Sequence, residues 1–172
     1  TPLKGIHTLR MTDCFSVKDL TPLKGINTLY MVGCRHISDL TGLEGIRRLD
    51  ITGCYKITDL TPIKGIHTLD MVNCRNIMDL TPLKGIHRLN MNFCYQVKDI
   101  TCLEGIHTLN MYCCDQITDL TPLKGIHELC ICSDKITDLT PLKGIHTLRM
   151  SGCTNVEDLS PLEGIHTLDI SS

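Results

Sequence analysis

The block Thr1-Pro2-Leu3-Lys4-Gly5-Ile6-His7-Thr8-Leu9 returns at Thr21, Thr41, Thr61, Thr81, Thr101, Thr121, Thr140 and Ser160, so this chain of 172 residues repeats itself every twenty residues from end to end. A fixed period of this size specifies a solenoid, because each unit is too small to bury its own apolar face and must be covered by its neighbours. The units are 1–20, 21–40, 41–60, 61–80, 81–100, 101–120, 121–139, 140–159 and the partial unit 160–172, which make one domain over 1–172. A single-residue deletion in the seventh unit is the one break in the period. Repeat arrays normally end on atypical capping units, and here both end units are ordinary. The expectation is a piece of a longer array or of a larger protein.

Within the unit the apolar positions are Ile6, Leu9, Met11, Cys14, Val17, Leu20 and Leu23, a pattern of the form I-x-x-L-x-M-x-x-C-x-x-I-x-D-L-T-P-L-K-G. This resembles a leucine-rich repeat over the whole chain. Cys where the commonest repeats carry Asn is similar to the cysteine-containing subclass, known from F-box substrate adaptors and from long arrays in protists and giant DNA viruses. The stretch Ile117-Thr118-Asp119-Leu120-Thr121-Pro122-Leu123 resembles the internalin type instead. The resemblance implies a right-handed α/β-type solenoid with a parallel β-sheet on its concave face and short turns on its convex face.

The residues give the same unit physically. Along a strand side chains alternate, so Leu9 and Met11 point inward and Thr8, Arg10 and Thr12 outward. After the Cys turn, Thr21-Pro22-Leu23-Lys24-Gly25 reads as Thr at the N-cap, Pro at the first helical position and Gly in the left-handed conformation that ends the turn. So short a segment permits one 3₁₀ turn and little or no α-helix. At roughly 4.8 Å per rung, the array is a rod about 40 Å long. In the shortened seventh unit, Ile126, Leu129, Ile131, Asp134 and Ile136 place Asp134 at the Cys position. Asp there satisfies backbone groups leaving the strand more strongly than a thiol does.

Eleven cysteines in such a chain raise the question of disulfides. Cys14, Cys34, Cys54, Cys74, Cys94, Cys114 and Cys153 occupy one position of successive units and form a ladder beneath the turn. Parallel side chains in one register meet the disulfide torsion poorly. They are expected to be reduced structural thiols, which suggests an intracellular, cytoplasmic location. Cys102 stands where most units have Pro. Cys113, Cys130 and Cys132 fall on adjacent rungs, on or beside the exposed sheet face. They could hold a soft metal or form a labile disulfide; drift at tolerant positions is the preferred reading.

Three polar columns accompany the ladder. His7, His67, His87, His107, His127, His146 and His166 precede the strands, with Asn27 and Arg47 at the same place in two rungs. Arg is no metal ligand, so the imidazoles are expected to stack, to bond the turn backbone and to have lowered pKa values. Asp19, Asp39, Asp59, Asp79, Asp99, Asp119, Asp138 and Asp158 precede each Thr or Ser by two residues, where a carboxylate can accept backbone N–H bonds of the following turn. The third column reads Lys4, Lys24, Glu44, Lys64, Lys84, Glu104, Lys124, Lys143 and Glu163, with Gly42 and Cys102 replacing Pro in two Glu-bearing units. Both a sixty-residue ancestral block and relief of lysine repulsion explain that order.

Apolar residues make up 42%, charged residues 21% and aromatic residues 3%, with a net charge of −2. The sequence has no run of eighteen apolar residues, no polybasic block and few rings for stacking bases, so neither membrane nor nucleic acid is expected as a partner. No nucleophile–base pair, phosphate loop or metal motif recurs, so the expectation is no enzyme, no cofactor and no metal.

What varies between units is the outward face. Its two columns read Arg10, Tyr30, Asp50, Asp70, Asn90, Asn110, Cys130, Arg149, Asp169 and Thr12, Val32, Thr52, Val72, Asn92, Tyr112, Cys132, Ser151, Ser171. Tyr, Phe and Arg are the usual interface anchors. The candidate partner-binding residues are Arg10, Tyr30, Arg48, Asp50, Asp70, Arg88, Asn90, Phe93, Asn110, Tyr112 and Arg149, and the expected function is a non-catalytic scaffold that binds a protein through the concave face. The alternatives are the substrate-recognition arm of an F-box-type ubiquitin ligase adaptor and a structural rod that self-associates end to end.

Overall fold

The structure, a computed structural model, describes residues 5–171. Thr1 to Lys4, which open the first unit and its Lys column, and Ser172 lie outside the described residues. Nine strands follow one per unit: β1 (Thr8–Arg10), β2 (Thr28–Tyr30), β3 (Arg48–Asp50), β4 (Thr68–Asp70), β5 (Arg88–Asn90), β6 (Thr108–Tyr112), β7 (Glu128–Cys132), β8 (Thr147–Met150) and β9 (Thr167–Asp169). They form one parallel sheet in chain order. Pairing is in register throughout, with Leu9 opposite Leu29 and Leu29 opposite Leu49, because a slip by one residue would turn every inner leucine to solvent. Seven 3₁₀ turns, from Thr21–Leu23 to Ser160–Leu162, lie on the other side, and no α-helix occurs among the described residues.

Between sheet and turns runs one continuous core. Leu29, Met31, Cys34 and Ile37 of a single rung are each fully buried, and the same four positions are fully buried again at Leu49, Ile51, Cys54 and Ile57. Burying a side chain of this size contributes about 1.5 to 3 kcal/mol, and the central rungs each add a similar set, whereas Leu9 and Met11 of the first rung are half-buried and Leu168 and Ile170 of the last are exposed.

Two local expectations are corrected by the geometry. First, Thr21 is the first residue of its turn rather than its N-cap; Leu20 holds the cap position and gives no side-chain bond. Asp19 does the capping, because its Oδ1 accepts the Thr21 backbone N–H at 2.8 Å. A carboxylate reaches the free N–H groups of a turn as well as Thr would and adds charge. Secondly, Ser133 and not Asp134 takes the Cys place in the seventh rung. Ser133 is buried and its Oγ accepts the Lys135 N–H, whereas Asp134 is exposed. Asp134 offers its carbonyl to Asn155 at 2.7 Å, just as Tyr55, the residue after Cys54, does to Asn76 at 2.6 Å. The deleted residue is therefore the one before the Cys position, the place held elsewhere by Asp13, Gly33, Gly53, Asn73, Phe93, Cys113 and Gly152, all with φ between 51° and 71°. β7 runs to Cys132, as β6 runs to its register partner Tyr112, and passes directly into Ser133 without a left-handed residue between.

The two replacements of Pro are unlike. Cys102 keeps the 3₁₀ turn and donates its thiol to the Leu80 carbonyl at 3.1 Å. Gly42 has φ +98°, and a Cβ there would stand 2.6 Å from the Thr21 Cα, so only glycine fits against the rung before it. The Gly42 N–H, which Pro would lack, is taken by the Glu44 carboxylate at 3.1 Å, and this bond holds Glu44 below the usual carboxylate range. Glu at that rung thus has a local partner.

Candidate partner-binding face

The outer face of the sheet carries the candidate residues in three patches. At the first rungs the Arg10 guanidinium lies 4.1 Å from the centre of the Tyr30 ring, and Arg48 approaches the same ring from the next rung at 5.8 Å. The tyrosine is sandwiched between two cations, which fixes its orientation. Both arginines are exposed and Tyr30 is half-buried.

In the middle, Asp50 and Asp70 are opposed across β3 and β4, flanked by Arg48 and Arg88, which belong to the same sheet face one position earlier. Burial, and then the neighbouring Asp50 charge, push the Asp70 carboxyl above its ordinary range. Asp50 is less free, since its Oδ1 accepts the Thr52 N–H at 2.9 Å. Asn90 does the same for Asn92 at 3.3 Å. Asn92, which sequence reasoning passed over, reaches across to accept the Tyr112 N–H at 2.8 Å. The signal was an amide directly before a left-handed residue, at the point where a strand ends.

The third patch is aromatic. Phe93 is not on the strand but in the turn beyond it, at φ 62°, a conformation that non-glycine residues rarely adopt. Its ring packs edge-on against Tyr95 at 6.3 Å and Tyr112 at 5.8 Å. Arg75 lies 5.7 Å from the Tyr95 ring. Asn110 and Arg149 follow on the same face, and Tyr112 and Arg149 border a shallow hollow of about 180 Å³ over the last rungs. The sheet therefore brings together every candidate except Phe93, which the turn places at its edge.

The Asp column bonds the turns that follow it. Asp39, Asp59, Asp79, Asp99, Asp119, Asp138 and Asp158 each accept the N–H two residues on at 2.8 Å, as Asp19 does. The hydroxyl of that Thr or Ser together with its N–H holds Asp19, Asp39, Asp59, Asp99, Asp119, Asp138 and Asp158 below the usual carboxylate range.

Imidazoles stack from His67 through His166 with ring centres 4.5 to 4.8 Å apart. They do not bond the turn backbone: Nδ1 of His67, His107 and His146 meets the hydroxyl of the following Thr at 3.0 to 3.1 Å. His127 is followed by Glu128, and its Nδ1 is buried without a partner. Desolvation first, and the neighbouring imidazoles second, lower the pKa of His67 and His107.

In the Cys ladder, Cys54, Cys74, Cys94 and Cys114 donate their thiols to the carbonyl directly after the strand of the preceding rung at 3.0 to 3.1 Å. Cys34 makes the longer bond of 3.8 Å, and Cys14 and Cys153, towards the two ends, are only half-buried. Burial pushes Cys54 and Cys114 up to about 12 and Cys94 to about 11, and raises Cys74 as well. A thiol this hard to ionise is inert as a nucleophile.

No model of a known protein family matches the sequence, and no curated protein matches it. Among solved structures the chain is similar to an internalin, InlF, of Listeria monocytogenes, with 24% identity and a TM-score of 0.67 over 89% of this chain and 51% of that one. It is similar also to internalin C2 of the same organism, with 22% identity and a TM-score of 0.56 over 99% of this chain and 81% of that one. The chain spans about half the length of InlF. A parallel sheet of nine in-register strands, 3₁₀ turns opposite it and this likeness together make the fold a leucine-rich-repeat solenoid of the kind internalins have.

Proposed function

We propose that the concave sheet face is a docking surface for a protein partner and that the chain is a non-catalytic interaction scaffold. The observation that carries this reading is the contrast along each strand: an inner column that is Leu at all nine rungs, beside an outer column that reads Arg10, Tyr30, Asp50, Asp70, Asn90, Asn110, Cys130, Arg149, Asp169. The outer side chains are sorted into cationic–aromatic, acidic and aromatic patches on a backbone held rigid by the ladder. Preordered Tyr and Arg side chains are what hot spots are made of, because little rotamer entropy remains to be lost on binding. A ubiquitin ligase adaptor would use the same face, with its F-box outside these residues. The thiol ladder, with each central thiol donating to a carbonyl, supports a reducing compartment as the place of action.

A photo-crosslinking residue placed at Asn90 on the face, and in a second protein at Lys84 on the turn side, tests the reading in lysate. Discrete adducts with one protein from Asn90 and none from Lys84 are expected. The same adducts from both positions, or from neither, would overturn it.

A further inference from the structure

The deletion in the seventh rung leaves a gap in the column of left-handed turn residues. Cys113 stands before the gap and Gly152 after it. What fills the gap is the thiol of Cys132, the residue with which the extended β7 ends: its Sγ lies 3.2 Å from the position a Cβ on Gly152 would take. On the other side, Tyr112 is the register partner of Cys132, so Cys113, the turn residue directly after β6, is its immediate diagonal neighbour. Adjacent strands lie about 4.8 Å apart, and a disulfide accepts Cα separations of about 4.4 to 6.8 Å.

We propose that Cys113 and Cys132 form a reversible disulfide across rungs six and seven at the edge of the concave face, with a small-molecule disulfide such as oxidised glutathione as the oxidant. Both thiols are half-buried, whereas Cys54, Cys74, Cys94 and Cys114 of the ladder are buried; a small oxidant reaches the first pair and not the second set. Cys132 Sγ attacks one sulfur of the oxidant, forms a mixed disulfide and releases the first thiolate. Cys113 then loses its proton and attacks Cys132 Sγ, the mixed disulfide breaks and the second thiolate leaves. Two protein thiols and one small disulfide become one protein disulfide and two small thiols.

The order follows from the surroundings of Cys113. Burial first, and then the neighbouring Cys132 thiol, push Cys113 up to about 11, so Cys113 is the poor nucleophile for the first step and acts as the resolving thiol. Cys130 stands two residues from Cys132 on the same strand face, where the extended backbone holds the two Cβ atoms too far apart for a bond.

The test equilibrates the folded protein in buffers of rising oxidised-to-reduced glutathione ratio, quenches in acid, alkylates the remaining thiols and maps the peptides by fragmentation mass spectrometry. Loss of two of the eleven alkylatable thiols is expected, with Cys113 joined to Cys132. Cys113→Ser should stop at a single glutathione adduct on Cys132, and Cys130→Ser should give the same linked pair as the parent protein. Cys113 and Cys132 remaining alkylatable at the most oxidising ratio, or pairing with other cysteines, would overturn the proposal; so would loss of the linkage in Cys130→Ser. A Cys113→Ser protein without an adduct would overturn the order of attack.

Discussion

Two columns of one strand set, a few ångströms apart, obey opposite rules. Leu29, Leu49, Leu69, Leu89 and Leu109 are identical and fully buried, while Tyr30, Asp50, Asp70, Asn90 and Asn110, the next residues along, are of three kinds and face outward. The backbone does not distinguish them, because successive side chains of a strand simply point to opposite faces. What differs is packing density: inside, each side chain must fit the rung above and the rung below, and a single methylene is felt. Outside, the solvent accommodates any shape, so chemistry can vary without touching the fold.

The hardest way to break this comparison is to disturb the inner column. Leu69→Ala is expected to destabilise by about 2 to 5 kcal/mol, read as a fall in the urea midpoint, and a loss as small as that of an exposed site would contradict the picture of a shared core. Next in size is the acid response. The capping aspartates hold fewer protons folded than unfolded, so their stabilisation is present above the unfolded value of about 3.9 and is lost as pH falls below it. His67 and His107 are lowered from the histidine value, so the unfolded chain takes those protons first, and their contribution fades as pH falls below about 6.5. A melting curve followed from pH 8 to pH 3 should therefore decline in two stages, and a flat profile between 7 and 5 would remove the role of the imidazole stack.

The smallest effect is the sharpest. Phe93 sits where other rungs have Gly33, Gly53 and Gly152, all left-handed. Phe93→Gly relieves a backbone strain of about 1 to 3 kcal/mol and gives up aromatic contacts with Tyr95 and Tyr112 worth about 0.5 to 1.5 kcal/mol each. Its stability should stay within about 1 kcal/mol of the parent while crosslinking at Asn90 weakens. A large loss of stability with undiminished crosslinking would make Phe93 a structural residue.

How much of this was legible in the sequence depends on whether a position repeats. The period, the inner leucines, the Asp bonds and the His stack all recur, and recurrence gave them away. Single events were harder. A one-residue deletion between Ile131 and Ile136 can be placed on either side of the Cys position, and the aligned Asp134 hid the buried Ser133. The clue was long-range: Asn155 answers Asp134 as Asn76 answers Tyr55. Thr21 looked like a cap because Thr favours that place, yet the carboxylate two residues earlier competes for the same N–H. Phe93 is legible as a turn residue beside the face, but a phenylalanine at positive φ is not something that composition announces.

The most direct measurement of the central claim uses one protein with six outer residues replaced together: Tyr30→Ser, Arg48→Thr, Asp70→Ser, Arg88→Thr, Asn90→Ser and Tyr112→Ser. Its urea midpoint and its competition against the Asn90 crosslinking reaction are read side by side. The account predicts a folded protein within about 2 kcal/mol of the parent that no longer competes. A variant that fails to fold would contradict the separation of the two columns, and one that folds and still competes would contradict the binding role of the face.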